Sequence, residues 1–161
     1  MLTEIRPIDM KRIKGDLIQL ALDGEFDVII HGCNCFCAMG AGIAVQIRET
    51  FPKAYEADLD TGSGDRKKLG TYSWALINNR KNPIVVVNAY TQFDYDGEGI
   101  LADYGAIREV FTRLKEDFPG KRFGYPKIGA GLAGGDWQTI RDIIESALAG
   151  EDHTLVEREK G

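Results

Sequence analysis

Residues 27–51 read DVIIHGCNCFCAMGAGIAVQIRETF and contain the pattern that decides the fold. The apolar run at 27–31 is typical of a buried strand, and the loop that follows it is rich in glycine. Apolar residues then recur at helical spacing over 42–51, and Pro52 ends that helix. The stretch therefore predicts a strand, a glycine-rich loop and a helix in succession, the unit from which parallel sheets are built.

The rest of the chain alternates between strand-like and helix-like apolar spacing. We expect helices at 53–60, at 103–118 and from Asp136 onward, and strands at 71–77, 84–89, 122–126 and 153–157. Residues 78–82 are expected to join two of these strands as a hairpin. This order predicts an α/β fold, a three-layer α/β/α sandwich around a mixed, mostly parallel central sheet.

Length and composition indicate a single domain over residues 1–161. A composition of 43% hydrophobic and 28% charged residues excludes a disordered chain and a coiled-coil rod. The net charge of −5 argues against a non-specific binder of nucleic acid or of anionic membranes. No apolar run approaches the ~20 residues of a membrane span, and residues 1–6 are too polar for a signal peptide.

The cysteines point to a reducing environment. Cys33, Cys35 and Cys37 are an odd number packed closely together, which cannot form a disulfide framework. We therefore expect a cytoplasmic protein, and a monomer. Structural zinc ligands usually come as two spaced pairs, so these thiols with His31 do not predict a zinc site. We expect neither a metal nor a cofactor.

Two glycine-rich segments, 31–42 and 128–135, each lie between a predicted strand and a predicted helix. Such turns expose backbone N–H groups at the positive end of a helix, which suits a phosphate. Together they predict a clamp on a diphosphate, and the alternative is that the glycines only permit tight turns. Residues 129–134 also match G-x-G-x-x-G, but too few residues follow for a nicotinamide-dependent dehydrogenase.

These motifs resemble those of the macro domain family, whose members bind ADP-ribose. Gly15 and Asp16 are similar to the family's early Gly-Asp step, which implies that Asp16 contacts the adenine amino group. Asp16 could also cap the helix that begins at Leu17. Asn34 matches a family asparagine that contacts the distal ribose, and it could instead form a turn.

The resemblance extends to both phosphate loops of the family. Residues 39–44 are similar to the first loop and residues 128–134 to the second. The implied ligand-binding residues are Asp16, Leu17, Asn34, Gly40, Ala41, Gly42, Ile43, Ala44, Gly129, Ala130, Gly131, Leu132, Ala133 and Gly134.

Residues 31–35 and 39–44 are similar to one branch of that family, the ADP-ribose 1″-phosphate phosphatases and terminal ADP-ribose glycohydrolases. Ala44 stands where another hydrolase branch has an aspartate. The terminal glycohydrolases have an aspartate where this sequence has Ala133. Their lysine has no counterpart either, because residues 91–96 contain none. The resemblance implies hydrolysis of ADP-ribose 1″-phosphate. The alternatives are a non-catalytic ADP-ribose reader and a hydrolase that removes ADP-ribose from protein or nucleic acid.

Three residues are predicted to serve catalysis: His31, Asn34 and Asp136. His31 could act as an acid or base or bind the terminal phosphate, and the alternative is a buried strand-end histidine. Asp136 could position a water, and the alternative is a helix N-cap. Phe93 and Tyr95 could stack on the distal ribose or on adenine, and the alternative is core packing.

Overall fold

The computed structural model describes residues 10–158, so the polar segment 1–6 lies outside the described residues. The elements follow in the order β1 (Lys11–Lys14), α1 (Leu17–Leu22), β2 (Val28–Cys33), α2 (Ile43–Thr50), α3 (Pro52–Asp60), a short 3₁₀ helix (Arg66–Lys68), β3 (Tyr72–Ile77), β4 (Ile84–Tyr90), α4 (Tyr104–Asp117), β5 (Arg122–Tyr125), α5 (Trp137–Ala147) and β6 (Asp152–Glu157).

One sheet contains all these strands, in the order β1-β6-β5-β2-β4-β3. All neighbouring strands run parallel except β3, which pairs antiparallel with β4 across the predicted hairpin. Because β1, β6, β5, β2 and β4 point the same way, their carboxyl ends meet at one edge of the sheet. The predicted mixed, mostly parallel sheet is confirmed.

Helices cover both faces of the sheet. Val28 and Ile30 pack with α4 and α5 in one buried cluster, whereas Ile29 packs with α1, α2 and α3 in another. This alternation follows from the period of two along a strand that is buried on both faces. The three-layer α/β/α architecture is therefore confirmed.

Two elements at the start of the chain have weak sequence signals. The four residues of β1 are all exposed, so no apolar alternation marks the strand. Helix α1 has only six residues, too few for a clear helical period. Within residues 10–158, no helix combines the length and apolarity that crossing a membrane requires.

Candidate active site

A cleft of about 880 Å³ lies along the edge where the carboxyl ends of the parallel strands meet. The order of the strands fixes the order of the residues along the cleft. Asp16 follows β1 at one end, and Gln92 and Tyr95 follow β4 at the other. The two glycine-rich loops lie between these ends, after β2 and β5. Ligands of open α/β sheets bind at this edge.

The loop after β2, residues 34–42, is called loop 1 below, and the Asn34 side chain fixes its first turn. The Asn34 Oδ1 atom accepts hydrogen bonds from the N–H groups of Phe36 (2.9 Å) and Ala38 (3.3 Å). Its Nδ2 donates to the Ala38 carbonyl at 2.9 Å. Asn34 therefore stabilises a turn, which was the alternative to its predicted contact with the ribose. It also lines the cleft, with one Nδ2 proton left to donate.

Loop 1 ends at the first turn of α2, where backbone donors remain free. The N-cap of α2 is Gly42, which has no side chain to cap the helix. The N–H groups of Ile43 and Ala44 donate no hydrogen bond within residues 10–158. Free donors at a helix N-terminus attract an anion.

The loop after β5, residues 128–135, is called loop 2 below, and backbone hydrogen bonds close it. The Gly135 N–H donates to the Gly129 carbonyl at 2.7 Å, and the Gly134 N–H donates to the Gly131 carbonyl at 3.0 Å. In the described part of the chain, the N–H groups of Gly131, Leu132 and Ala133 have no acceptor. Leu132 is 83% exposed, so the loop projects into solvent.

Gly40 and Gly131 both line the cleft, and the fold itself does not require glycine at either position. Neither residue has a left-handed φ angle, and an added Cβ would meet no atom within 4 Å. Most other glycines in the described residues have a positive φ or a crowded Cβ position. The space beside the backbone is therefore open at both positions, as close approach of a ligand to the backbone would require.

Asp16 lies at the β1 end of the cleft and caps α1. Its Oδ1 accepts a hydrogen bond from the Gln19 N–H at 3.1 Å. The second carboxylate oxygen has no hydrogen-bond partner in residues 10–158, and Leu17 lines the cleft beside it. The cap and a ligand contact are therefore compatible.

The structure does not bring His31 to the cleft. His31 is 1% exposed and lies within the sheet, where its Nε2 is 2.7 Å from the Asn88 Oδ1. Desolvation lowers the pKa of His31 to about 4. This environment is that of the alternative, a buried strand-end histidine. The acid–base role of His31 stays a prediction that its burial does not favour.

The burial of His31 predicts how stability depends on pH. Between about pH 6.5 and 4, the unfolded chain binds a proton at His31 and the folded protein does not. The free energy of unfolding should therefore fall as the pH falls through this range. Urea unfolding at neutral pH and at about pH 5 tests this, and His31→Gln should show a weaker dependence. Identical pH profiles for the variant and the wild type would contradict it.

Asp136 and Gly134 also lie outside the cleft. Asp136 is the N-cap of α5, and its Oδ2 accepts from the Thr139 N–H (3.0 Å) and hydroxyl (2.7 Å). These hydrogen bonds lower the pKa of Asp136. Asp136 therefore has the alternative role of a helix N-cap, and its role in positioning water stays a prediction. Gly134 turns the chain with a φ of 70° beside the Gly99 carbonyl, so its role is conformational.

The other predicted binding residues all line the cleft: Asp16, Leu17, Asn34, Gly40, Ala41, Gly42, Ile43, Ala44, Gly129, Ala130, Gly131, Leu132 and Ala133. Tyr95 lines it too and is 60% exposed, whereas Phe93 packs against Phe36 with ring centroids 4.9 Å apart. In the described range no group of three or more His, Cys, Asp or Glu side chains could hold a metal ion.

Sequence reasoning missed five polar residues that line the cleft: Gln46, Gln92, Lys127, Glu157 and Arg158. Gln92 follows β4, and its Nε2 donates to the Asp94 carbonyl at 2.7 Å, which fixes the orientation of the amide. Lys127 follows β5 and Glu157 is the last residue of β6, and their Nζ and Oε2 atoms are 3.8 Å apart. These residues are far apart in the sequence, and the order of the strands in the sheet brings them together.

Comparisons with known proteins agree with this architecture. The chain is 39% identical over 142 residues to the uncharacterized 17.5 kDa protein in the tk-vs intergenic region of phage T4, covering 85% of this chain and 88% of that protein. It is 23% identical to a DNA ADP-ribosyl glycohydrolase of Mycobacterium tuberculosis, over 83% of this chain and 37% of that protein. No family model matches.

The macrodomain of Mycobacterium tuberculosis DarG superposes with a TM-score of 0.73 at 19% identity. The superposition covers 91% of this chain and 96% of that one. The chain therefore has the macro-domain fold and belongs to the same family as the phage T4 protein.

Proposed function

We propose that the cleft binds ADP-ribose and ADP-ribosyl compounds. The observation that carries this proposal is the pair of loops with free backbone donors and with glycines that the fold does not need, Gly40 and Gly131. A diphosphate placed between the loops would accept hydrogen bonds from both, and its oxygens would occupy the space that a side chain would fill. The named activity of the mycobacterial relative, a DNA ADP-ribosyl glycohydrolase, supports the same ligand class.

The resemblance to the macro domain family, which implies that Asp16 contacts the adenine amino group, supports one direction for the ligand. With the diphosphate between the loops, adenine lies at the β1 end, where the free oxygen of Asp16 accepts a hydrogen bond from the adenine amino group. The distal ribose then lies at the β2 and β4 ends. There Asn34 can donate its remaining Nδ2 proton to a ribose hydroxyl.

Asp16→Ala should weaken ADP-ribose binding by about 1–3 kcal/mol, since it removes a hydrogen bond to a charged group. Calorimetric titration of the folded variant measures this. Asp103→Ala is the matched control, because Asp103 caps α4 in the same way and lies outside the cleft. Both variants should lose about 1 kcal/mol of stability with the cap, but only Asp16→Ala should lose affinity. If Asp16→Ala bound ADP-ribose as tightly as Asp103→Ala does, the assignment of Asp16 to adenine would be contradicted.

The chemistry at the distal end favours hydrolysis of ADP-ribose 1″-phosphate. Among the described lining residues, the carboxylates and the amine lie away from the distal end. Asp16 follows β1, Glu157 ends β6 and Lys127 follows β5. Asn34 and Gln92 supply amides there, and the loops supply N–H groups. Amides and N–H groups can orient a water and stabilise negative charge, which is the main demand of phosphoryl transfer.

In this reaction, water attacks the phosphorus atom and the bond from phosphorus to the ribosyl oxygen breaks. The ribosyl oxygen takes up a proton, so the products are ADP-ribose and inorganic phosphate. The remaining amide N–H groups of Asn34 and Gln92 would stabilise the charge that develops on the phosphoryl oxygens, since the N–H groups of the loops bind the diphosphate.

A second candidate is removal of ADP-ribose from DNA, which the resemblance to the mycobacterial glycohydrolase favours. The deciding experiment supplies ADP-ribose 1″-phosphate and an ADP-ribosylated oligonucleotide separately and follows inorganic phosphate and free ADP-ribose. Phosphate release supports the phosphatase, and ADP-ribose release from DNA supports the second candidate. Binding of ADP-ribose without either product would identify a non-catalytic reader.

A further inference from the structure

Lys68 is a buried lysine that contacts loop 1 from behind. It ends the short 3₁₀ helix and is 7% exposed. Its Nζ donates to the carbonyls of Gly62 (2.7 Å) and Cys35 (3.2 Å) and lies 3.6 Å from the Cys37 Sγ. The ammonium also lies 4.6 Å from the centroid of the Tyr90 ring. Two of these contacts, those to Cys35 and Cys37, are to loop 1.

Burying this charge is costly. Within residues 10–158 no carboxylate oxygen lies within ion-pair distance of the Lys68 Nζ. The nearby Asp58 carboxylate instead accepts a hydrogen bond from the Tyr90 hydroxyl at 2.7 Å. An uncharged side chain would fill the same space without the desolvation cost. The charge contributes the hydrogen bonds to the Cys35 and Gly62 carbonyls, together with the contact to the Tyr90 ring and the electrostatic attraction to Asp58.

These hydrogen bonds act on a segment that needs support. Cys37 has a φ of 57°, a left-handed conformation that a non-glycine residue adopts at a cost. The Cys35 carbonyl accepts from both the Lys68 Nζ and the Gly64 N–H (2.7 Å), and the Cys37 thiol donates to the Asp58 carbonyl at 3.2 Å. The second half of loop 1 faces the open cleft, so its position depends on this anchored first half.

We propose that Lys68 is the positioning residue that holds loop 1 in its phosphate-binding conformation. The proposal rests on the proposed function, since it assigns the loop to the diphosphate. Loop 1 follows β2, which is three strands away from β1 and Asp16. Loss of the Lys68 contacts should therefore weaken binding of the diphosphate and distal ribose, and leave the adenine end unchanged.

Lys68→Met tests this with two ligands, ADP-ribose and adenosine. The Kd for ADP-ribose should rise about tenfold or more, the effect of losing a hydrogen bond from a charged group. The Kd for adenosine, followed by NMR titration, should stay at the wild-type value. Lys67→Met is the matched control, because Lys67 is the exposed neighbour in the same short helix. It should leave both constants unchanged.

A wild-type Kd for ADP-ribose in Lys68→Met, or an equal loss for both ligands, would overturn the proposal. Amide spectra of the free proteins give a readout that needs no ligand, and the changes in Lys68→Met should concentrate at residues 35–44. If the wild-type protein fails to bind ADP-ribose, the proposed function fails, and these spectra still decide the role of Lys68. Lys68→Gln retains a neutral donor and should show a smaller effect. If neither variant folds, Lys68 serves the whole fold and the proposal is wrong.

Discussion

Gly131→Val is expected to abolish ADP-ribose binding while the melting temperature stays at the wild-type value. Gly131 lines the cleft, has an ordinary φ angle, and an added Cβ would meet no protein atom within 4 Å. We therefore expect the folded protein to accept the valine side chain, which would fill the space assigned to the diphosphate. The N–H groups of loop 2 act through the backbone, so no neighbouring side chain can replace them.

Calorimetric titration beside a thermal melt measures this prediction. The loss of affinity should be at least about a hundredfold, which corresponds to ~3 kcal/mol. Lys121→Val, an exposed position outside the cleft, is the control for adding a surface valine. Wild-type binding by Gly131→Val would contradict the two-loop clamp. A collapsed melt would show that this glycine serves the fold.

Gly135→Val should give the opposite result, a loss of stability of about 3 kcal/mol or more. An added Cβ at Gly135 would lie 2.6 Å from the Gly129 carbonyl oxygen, 2.8 Å from the Ile140 Cδ1 and 3.2 Å from the Ala102 Cβ. The carbonyl belongs to the backbone and accepts the hydrogen bond that closes loop 2. It cannot move without opening the loop.

Urea unfolding measures the effect of Gly135→Val, with Gly131→Val as the matched substitution four residues away in the same loop. The variant should unfold at a clearly lower urea concentration, and any folded fraction should bind ADP-ribose weakly because loop 2 is displaced. A wild-type unfolding midpoint would show that the close approach of Gly135 to Gly129 is not required.

The apolar pattern was sufficient to predict the layers of the fold. Val28, Ile29 and Ile30 form a run that is buried on both sides, and such a run predicts a central parallel strand with helices on each face. Strand β1 could not be predicted in this way. Its four residues lie exposed at the edge of the sheet, so no apolar run marks them. It is held by pairing with β6, a contact between residues far apart in the sequence.

The candidate site was predictable where its chemistry lies in the backbone. Glycine-rich turns between strands and helices are visible in sequence, and both lie on the cleft. The direction of a side chain is not visible in the same way. The His31 side chain contacts Asn88, which lies opposite it on the neighbouring strand β4. Gln92 reaches the cleft because β4 lies beside β2 in the sheet. The long-range strand order decides both outcomes.

Calorimetric titration of the wild-type protein with ADP-ribose and with NAD decides whether the cleft is an ADP-ribose site. We expect ADP-ribose to bind at one site and more tightly than NAD. The distal ribose of ADP-ribose is free, and the proposed orientation places it beside Asn34, which lines the cleft. In NAD the same ribose carries nicotinamide. No heat of binding with ADP-ribose, or tighter binding of NAD, would contradict the account.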